Sequence, residues 1–407
     1  MRRAPAASGQ TLAPALWRLA VLALVLSVAG CGGAPILAND PLVFPSPIVP
    51  SPAPSRPADP IPVVLPRDDG PHDRLTEWWY YTGHLTATDG RRFGFEAVVF
   101  RAERGAVPAA WASHLALTDE SGQRFVYAQR SEIGLQVDRS PRDAAGIPTG
   151  FDLQVAGHNQ ELVMAGAPMF TAPWRLAGSG GTDRIEAALS TEEAAAAGAA
   201  FGLALDLRPL KPAALHDEDG FVDFGPAGTS YYYSRTRLAA EGELQLDGER
   251  LQVSGIAWFD HQWGDFVSVG GGGWDWFAIN LDDGTDVTIS VVRDGDGLRI
   301  LGYGTMVDAD GRVTHLDDDD FVLTTQSQWE SPHTGRVWPS QWTIAIGDLF
   351  VSLRPTLLDQ ELDTRATTGV VYWEGSQVVS AARPLVSDEA IGGEAYVEIT
   401  RYGGPGE

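Results

Sequence analysis

Apolar and polar residues alternate in short runs along most of the chain, and turn residues separate each run from the next. The run Trp78–Leu85 is rich in aromatic residues, and Asp89-Gly90 separates it from a second run, Arg92–Arg101. An Asp-Gly pair between two such runs is a strong signal for a β-hairpin. Similar runs recur roughly every 8–12 residues, which predicts an all-β sandwich or barrel.

The second strand of this hairpin is apolar on both faces. Odd-numbered positions of Phe93–Val99 are apolar, and so are most even-numbered ones, which predicts that the strand is covered on both sides. Glu96 is then a carboxylate on a largely apolar face. It either pairs with a nearby cation such as Arg92 or Arg101, or it lines a cavity.

One stretch favours a helix. Thr191–Ala197 contains two glutamates in its first turn followed by a run of alanines, and Thr191 is the predicted N-cap. The stretch is short, and a loop is the alternative interpretation.

The chain contains an internal repeat of one motif. An aromatic strand, an Asp-Gly turn and a strand that ends in Arg occur over residues 78–101 and again over residues 274–293. The distance between the two copies suits one β-barrel domain. We therefore predict two consecutive antiparallel β-barrels, over residues 71–240 and 241–407. Chance similarity between the two segments is the alternative.

Aromatic residues, acids and a histidine concentrate in two stretches, Trp258–Gly264 and Trp274–Gly284. We expect the stretches to lie on neighbouring strands, so that acid, base and indole faces meet. The candidate catalytic and binding residues in them are Asp260, His261, Trp263, Trp274, Asp275 and Trp276. A packed tryptophan cluster with a hydrogen-bonded histidine is the structural alternative.

These residue types suit chemistry that passes through a carbocation. A carboxyl group that is desolvated among indoles has a raised pKa, which makes it a usable proton donor. The faces of the same indoles stabilise a cation. Such a site could protonate an alkene, shield the resulting cation and add water to it.

The charge balance argues against nucleic acid as a partner. The 407 residues include 29 basic and 54 acidic side chains, for a net charge of −25, and no basic cluster is visible. The single cysteine, Cys31, excludes an internal disulfide, and the eight histidines include no pair at metal-ligand spacing. Motifs for nucleotide binding, esterase nucleophiles and zinc proteases are also absent. We therefore predict neither a metal site nor a cofactor.

The N-terminus has the form of a bacterial lipoprotein signal. Basic residues precede an apolar run, Leu19–Leu26, which is too short to span a bilayer as a stable helix. The run leads into Val28-Ala-Gly-Cys31, which resembles a lipobox and implies cleavage before Cys31 with lipid attached to its thiol. An ordinary secretory signal is the alternative.

The segment after the signal is predicted to be a tether. Residues 31–70 are rich in Pro, Ser and Ala, a composition that favours an extended chain with little to bury. Residues 1–30 would be the signal peptide. We therefore expect an extracytoplasmic lipoprotein of the cell envelope, anchored to the membrane through Cys31.

Four motifs taken in order, Glu77–Leu85, Phe93–Arg101, Trp258–Gly264 and Trp274–Gly284, resemble the lipocalin-like family of carotenoid 1,2-hydratases (hydroxyneurosporene synthases) and AttH-type secreted proteins. The resemblance spans most of residues 71–402. It implies two consecutive calycin-type barrels and a pocket for a long apolar ligand. In the hydratases it implies cofactor-free addition of water to the terminal double bond of an acyclic carotenoid.

The same resemblance implies roles for particular residues. His261 and Trp263 match the His-x-Trp pair of the hydratases, which is regarded as functional. Those enzymes also use a Tyr-x-Asp pair on a later strand, and Asp286–Val291 does not contain one. Asp275 or Asp260 could substitute as the acid. The lipoprotein signal fits the secreted branch of the family better.

These observations lead to two hypotheses of different classes. In the enzymatic one, Asp260 or Asp275 donates a proton to a hydrophobic, isoprenoid or lipid-like ligand, and His261 positions or deprotonates water. In the other, the protein is a non-catalytic carrier or envelope factor. The residues expected to shield the cation or to line the ligand pocket are Trp263, Trp274, Trp276, Trp258, Trp78, Trp79, Tyr80 and Glu96.

Overall fold

The computed structural model describes residues 58–105, 107–157, 172–179, 181–266, 272–383 and 387–401. Within these ranges the chain forms two antiparallel sheets with very little helix. The prediction of an all-β fold is confirmed. No helix in the described ranges is long and apolar enough to cross a membrane.

The strands of the first sheet are β1 (Thr76–Ala87), β2 (Arg92–Ala102), β3 (Ala110–Asp119), β4 (Arg124–Ile133), β5 (Phe151–Val155), β6 (Trp174–Ser179), β7 (Thr182–Ala188), β8 (Phe201–Pro209), β9 (Ala214–Leu215), β10 (Phe221–Asp223), β11 (Gly228–Leu246) and β12 (Glu249–Phe266). Those of the second sheet are β13 (Gly273–Leu281), β14 (Asp286–Arg293), β15 (Arg299–Val307), β16 (Val313–Leu316), β17 (Phe321–Glu330), β18 (Val337–Ile346), β19 (Leu349–Pro355), β20 (Glu361–Asp363), β21 (Val371–Arg383) and β22 (Ser387–Arg401). The helices are α1 (Thr191–Ala197) and α2 (Asp217–Gly220), with 3-10 turns at Arg67–Asp69 and Gly225–Ala227.

The two sheets share one topology. The first has the order β4-β3-β2-β1-β12-β11-β8-β7-β6-β5, and the second has the order β16-β15-β14-β13-β22-β21-β19-β18-β17. In each sheet the first strand lies between the second strand and the last. The predicted hairpins are β1–β2 and β13–β14, so the internal repeat corresponds to the same pair of strands in both halves.

The first sheet curls into a nearly closed barrel. The segment after β4 pairs with β5, because the amide of Arg139 donates to the carbonyl of Asp152 at 2.7 Å and that of Gln154 donates to Val137 at 2.9 Å. The second sheet is a half-barrel, since its end strands β16 and β17 do not pair in the described part of the chain. Two consecutive barrels are thus confirmed, the second of them open.

The predicted domain boundary at residue 240 needs correction. Residue 240 lies inside β11, and β12 pairs with β1 along its length, from Thr76 opposite Gly264 to Ala87 opposite Val253. The first barrel therefore needs both strands to complete its sheet, and it extends to Phe266. The boundary falls between β12 and β13.

The last part of the predicted tether is folded against the first barrel. The described part of it, residues 58–70, packs on the first barrel: Asp59 accepts hydrogen bonds from Arg74 at 2.6 Å and from Tyr231 at 2.8 Å, and Asp68 is buried. The predicted signal peptide, Cys31 and the rest of the tether lie outside the described residues.

Helix α1 forms where it was expected, but its cap differs. Ser190, not Thr191, is the N-cap, because its hydroxyl accepts from the amide of Glu193 while the Glu193 carboxylate accepts from the amide of Ser190. This reciprocal pair is a capping box, which satisfies two amides that a helix otherwise leaves free.

Strand alternation gives each sheet one face toward its own core and one toward the other sheet. In β1 and β13 the odd-numbered side chains, such as Trp79 and Phe277, lie in the two barrel cores. The even-numbered ones meet between the sheets, where Trp78 stacks on Trp274 with ring centroids 6.2 Å apart. These two residues hold equivalent positions in the internal repeat.

A buried ion cluster also joins the two halves. Asp286 on β14 is fully buried and lies 2.7 Å from the ammonium of Lys211 and 2.6 Å from the guanidinium of Arg237, both from the first half. The hydroxyl of Thr236 donates to the same carboxylate at 2.9 Å. The relative position of the sheets is therefore fixed by charge pairing as well as by aromatic packing.

Candidate functional site

A cavity of about 120 Å³ lies between the two sheets. Its walls come from β1, β2, β11 and β12 on one side and from β13, β14, β15, β21 and β22 on the other. The aromatic residues that line it are Trp78, Tyr80, Phe100, Phe224, Tyr232, Phe266, Trp274, Trp276, Tyr303 and Tyr372. The cavity is therefore a product of both halves of the chain.

Four carboxyl groups also line this cavity: Glu96, Asp260, Glu374 and Glu398. Glu96, Asp260 and Glu374 are each at most 3 % exposed. An isolated charge in such surroundings is costly, so each carboxyl group must be bonded by donors or hold a proton. Among the four carboxyl groups, some are bonded by several donors and others hold a proton.

Asp260 is surrounded by hydrogen-bond donors. The indole of Trp258 donates to its Oδ1 at 2.6 Å, the hydroxyl of Ser234 donates to the same oxygen, and the phenol of Tyr232 donates to Oδ2 at 2.5 Å. Burial raises the pKa of Asp260 to about 6, while these three donors oppose the rise. Near neutral pH the group is therefore mostly a carboxylate that can accept a proton.

Glu96 and Glu374 form a pair with the opposite behaviour. Burial raises the pKa of Glu96 to about 8, although a 2.9 Å hydrogen bond from Tyr372 opposes the rise. Burial also raises the pKa of Glu374, and the adjoining charges of Glu96 and Glu398 raise it further. Tyr80 donates to Oε1 of Glu374, and in each glutamate Oε2 is buried without a partner. At neutral pH Glu96 therefore holds a proton that it can donate, and the raised pKa of Glu374 favours the protonated form of that group as well.

Glu398 is the counterpart of Asp260 in the second half. Asp260 lies opposite Tyr80 in the β12–β1 register, and Glu398 lies opposite Trp276 in the β22–β13 register. Burial raises the pKa of Glu398 to about 7, although Thr400 donates to its Oε1 at 2.7 Å and lowers the value. The indole of Trp274 donates to the same oxygen at 3.0 Å. The two halves thus place one acid each at equivalent positions around the cavity.

The structure brings most of the predicted pocket residues together. The residues of the prediction that line the cavity are Trp78, Tyr80, Glu96, Asp260, Trp274 and Trp276. Trp258 lies directly behind them, since its indole is bonded to Asp260 and its ring meets Trp276 edge-on, with centroids 6.3 Å apart. Glu96 has Tyr372 as its partner and neither of the arginines considered from the sequence.

Four predicted residues lie elsewhere. Trp79, His261 and Trp263 point into the core of the first barrel, because they alternate with the cavity-facing residues of β1 and β12. Asp275 alternates with the tryptophans of β13 in the same way, and the guanidinium of Arg293 lies 2.7 Å from it. The expectation that His261 and Asp260 act on one ligand is therefore wrong, since adjacent residues of a strand face opposite sides.

His261 belongs to a second cluster, inside the first barrel. Its Nε2 lies 3.0 Å from Oε1 of Glu77, and Nδ1 of His72 lies 2.7 Å from the same oxygen. Both Glu77 and His261 are completely buried. Trp263 stacks on His72 with centroids 4.1 Å apart and planes within 2° of parallel. The His-x-Trp pair is thus a unit, but it contributes to this cluster and not to the cavity.

Sequence reasoning missed the acids of the last two strands. Glu374 and Glu398 lie in the segments Tyr372-Trp-Glu374 and Tyr396-Val-Glu398, which place a tyrosine and an acid on one face of a strand. The internal repeat contained a signal for Glu398. Glu398 on the last strand of the second half corresponds to Asp260 on the last strand of the first half.

Comparisons with known proteins agree with this architecture. A family model described as AttH-like matches residues 56–402. The solved structure of an AttH protein from Nitrosomonas europaea is similar with a TM-score of 0.68 and 28% sequence identity, and the match covers 86% of this chain and 100% of that one. A search of curated proteins found no match.

Two more distant structures share the fold. Kievitone hydratase from Nectria haematococca has a TM-score of 0.57 and 17% identity, with 84% of this chain and 93% of that chain covered. CghA, solved with Sch210972, has a TM-score of 0.52 and 10% identity, with 80% and 89% covered. The family model spans most of the chain, including both sheets and the cavity between them. The chain belongs to the AttH-like family.

Proposed function

We propose that the protein adds water to a terminal isoprenoid double bond in the cavity between its two sheets. One observation carries the proposal: the aromatic cavity contains carboxyl groups held in opposite protonation states near neutral pH. Burial raises the pKa of Glu96 to about 8, so this acid holds its proton, whereas the donors around Asp260 limit the pKa of that group to about 6 and keep it mostly ionised. An acid and a base in one apolar cavity are the requirements for hydration without a cofactor.

In the proposed reaction Glu96 is the acid. Its carboxyl proton passes to the terminal alkene carbon, the π electrons form the new C–H bond, and a tertiary cation results. The indole faces of Trp78, Trp274 and Trp276 stabilise that cation. Water then forms a C–O bond with the cation and gives its proton to the carboxylate of Asp260. A proton returns from Asp260 to Glu96 through water, which completes the cycle.

The size of the cavity limits what it encloses. A cavity of about 150 Å³ holds one benzene molecule, so a cavity of about 120 Å³ suits a single five-carbon isoprene unit. A whole carotenoid is far larger. Ile300 lines the cavity and is 45 % exposed, so the opening lies on that side and the remainder of a long ligand would extend through it.

The test uses one long and one short probe. Lycopene and 6-methyl-5-hepten-2-one both end in a prenyl group, and each is incubated with the protein in ¹⁸O-labelled water. We expect ¹⁸O-labelled tertiary alcohols, detected by chromatography with mass spectrometry. Glu96→Gln and Asp260→Asn should each lower the rate by about 10²–10⁴-fold, the usual contribution of general acid or base catalysis.

Two control variants sharpen this test. Glu192→Gln makes the same chemical change on an exposed turn of α1 and should leave the rate unchanged. His261→Ala tests whether the His-x-Trp pair acts in the reaction, and we expect product formation to persist because His261 does not line the cavity. Binding of both probes without any alcohol would refute the enzymatic proposal and identify the protein as a carrier.

We also propose that the protein is anchored outside the cytoplasm by lipid on Cys31. The support is the signal-like sequence that precedes this cysteine. Labelling of expressing cells with an alkyne fatty acid should mark the wild-type protein, and Cys31→Ser should abolish the label. A labelled Cys31→Ser variant would refute the assignment.

A further inference from the structure

We propose that His72, Glu77 and His261 form a binding site for a divalent transition-metal ion. Their three ligand atoms, two imidazole nitrogens and one carboxylate oxygen, all lie within 4.8 Å of one another. Two histidines and one carboxylate are a donor set found in zinc and non-haem iron proteins. The site is separate from the cavity and stands independently of the proposed hydration.

The distances suit an ion between the three groups. Oε1 of Glu77 lies 2.7 Å from Nδ1 of His72 and 3.0 Å from Nε2 of His261. Ligand atoms bound at about 2.0–2.1 Å around a tetrahedral ion are roughly 3.3 Å apart, so a small outward shift admits the metal. Binding would replace two N–H···O hydrogen bonds with three metal–ligand bonds.

The ligands come from elements that the fold holds in place. Glu77 and His261 lie on the paired strands β1 and β12, where Trp263 is opposite Glu77 and Trp79 is opposite His261. Trp79 stacks on His261 with centroids 4.6 Å apart. Trp263 stacks in the same way on the third ligand, His72. Both imidazole planes are therefore fixed before any ion binds. The His-x-Trp pair thus has a physical role, because His261 supplies a ligand atom and Trp263 orients the ring of His72.

Outer contacts complete the arrangement. Oδ1 of Asp68 lies 3.5 Å from Nε2 of His72, the ring nitrogen that faces away from the proposed ion. A carboxylate behind a metal-bound histidine orients the ring and increases its basicity. Arg101 lies 3.8 Å from the other oxygen of Glu77, which leaves Oε1 as the oxygen that the two imidazoles share.

Access to the site is from the side of His72. This side chain is 19 % exposed, whereas those of Glu77 and His261 have no exposure. An ion bound by three protein ligands has a fourth position, which water or a small anion would occupy. Sequence spacing could not predict the site, because β1 and β12 lie at opposite ends of the first barrel's sequence and meet only in the sheet.

The test uses Zn²⁺ and Co²⁺ with the full-length protein after removal of any histidine tag. We expect one Zn²⁺ per chain in calorimetry, and an increase in Tm of about 5 °C at a hundredfold excess over Kd. Bound Co²⁺ should show the intense visible absorption of a tetrahedral N/O site. Binding of Zn²⁺ with no change in Tm and no Co²⁺ spectrum would place the ion on the surface and refute the proposal.

Variants separate this site from other histidines. His72→Ala changes a partly exposed loop residue and should abolish the Co²⁺ spectrum without unfolding the barrel. His333→Ala is the matched control, since His333 is an exposed histidine 2.8 Å from a carboxylate, that of Asp359, and should leave binding intact. Equal Zn²⁺ binding by wild type and His72→Ala, or none by wild type at micromolar concentration, would overturn the assignment.

Discussion

Replacing Glu96 with Gln should change how the stability of the protein depends on pH. Glu96 is 1 % exposed, and Tyr372 donates to its Oε1. Glutamine has nearly the shape of the protonated acid and keeps the acceptor oxygen, but it cannot ionise. The variant therefore removes one titration from the folded protein and leaves the packing of the cavity almost unchanged.

The sign and the size of the effect follow from proton binding. The pKa of Glu96 is raised from its ordinary value of 4.5 to about 8 by burial. Its stabilising contribution is complete below pH 4.5 and is lost as pH rises through the folded pKa, because the unfolded chain releases the proton first. The loss is about 1.4 kcal/mol per pH unit per proton, or about 3 kcal/mol between about pH 5.5 and about pH 7.5.

The assay is urea unfolding at several pH values across that interval. The wild-type free energy of unfolding should fall more steeply with pH than that of Glu96→Gln, by about 1.4 kcal/mol per unit. Glu192→Gln, the exposed control, should follow the wild type. Parallel curves for wild type and Glu96→Gln would refute a protonated acid in the cavity.

Two further predictions concern the contacts that hold the cavity walls. Asp286→Ala should lower the free energy of unfolding by about 3–5 kcal/mol, because Lys211 and Arg237 lose the carboxylate they share. A loss below about 1 kcal/mol in urea unfolding would contradict a buried cluster in which both cations depend on this carboxylate. Gly255→Ala should lower Tm or prevent folding, since the added Cβ would lie 1.8 Å from the carbonyl oxygen of His84 on β1. An unchanged Tm in thermal unfolding would show that β1 and β12 can separate at little cost in free energy.

Local features were predictable from the sequence because neighbouring residues determine them. The hairpin β1–β2 follows from Asp89-Gly90 between two alternating runs, and an acid on an apolar face made Glu96 a candidate for the cavity. The prediction that His261 acts on the same ligand as Asp260 was wrong for an equally local reason. Asp260 and His261 are adjacent, and adjacency in a strand places side chains on opposite faces.

Other features depend on pairing between distant strands, which the sequence does not contain in any local form. The boundary was placed too early because β12 belongs to the first barrel only through its pairing with β1. Glu374 and Glu398 reach the cavity because the second sheet packs against the first. The cluster at Glu77 needs the same long-range pairing, so no spacing rule could have indicated it.

The shared topology of the two halves has a consequence for descent. Neither half alone could enclose the cavity, because Trp78, Asp260 and Glu96 come from one half and Trp274, Glu398 and Glu374 from the other. An ancestor of half the length would have needed to form a symmetric dimer, with the same acid on both sides of the axis. A single chain that contains both halves is free of that constraint. In one chain the two equivalent positions can differ, and here they hold Asp260 and Glu398, each with its own set of hydrogen-bond donors.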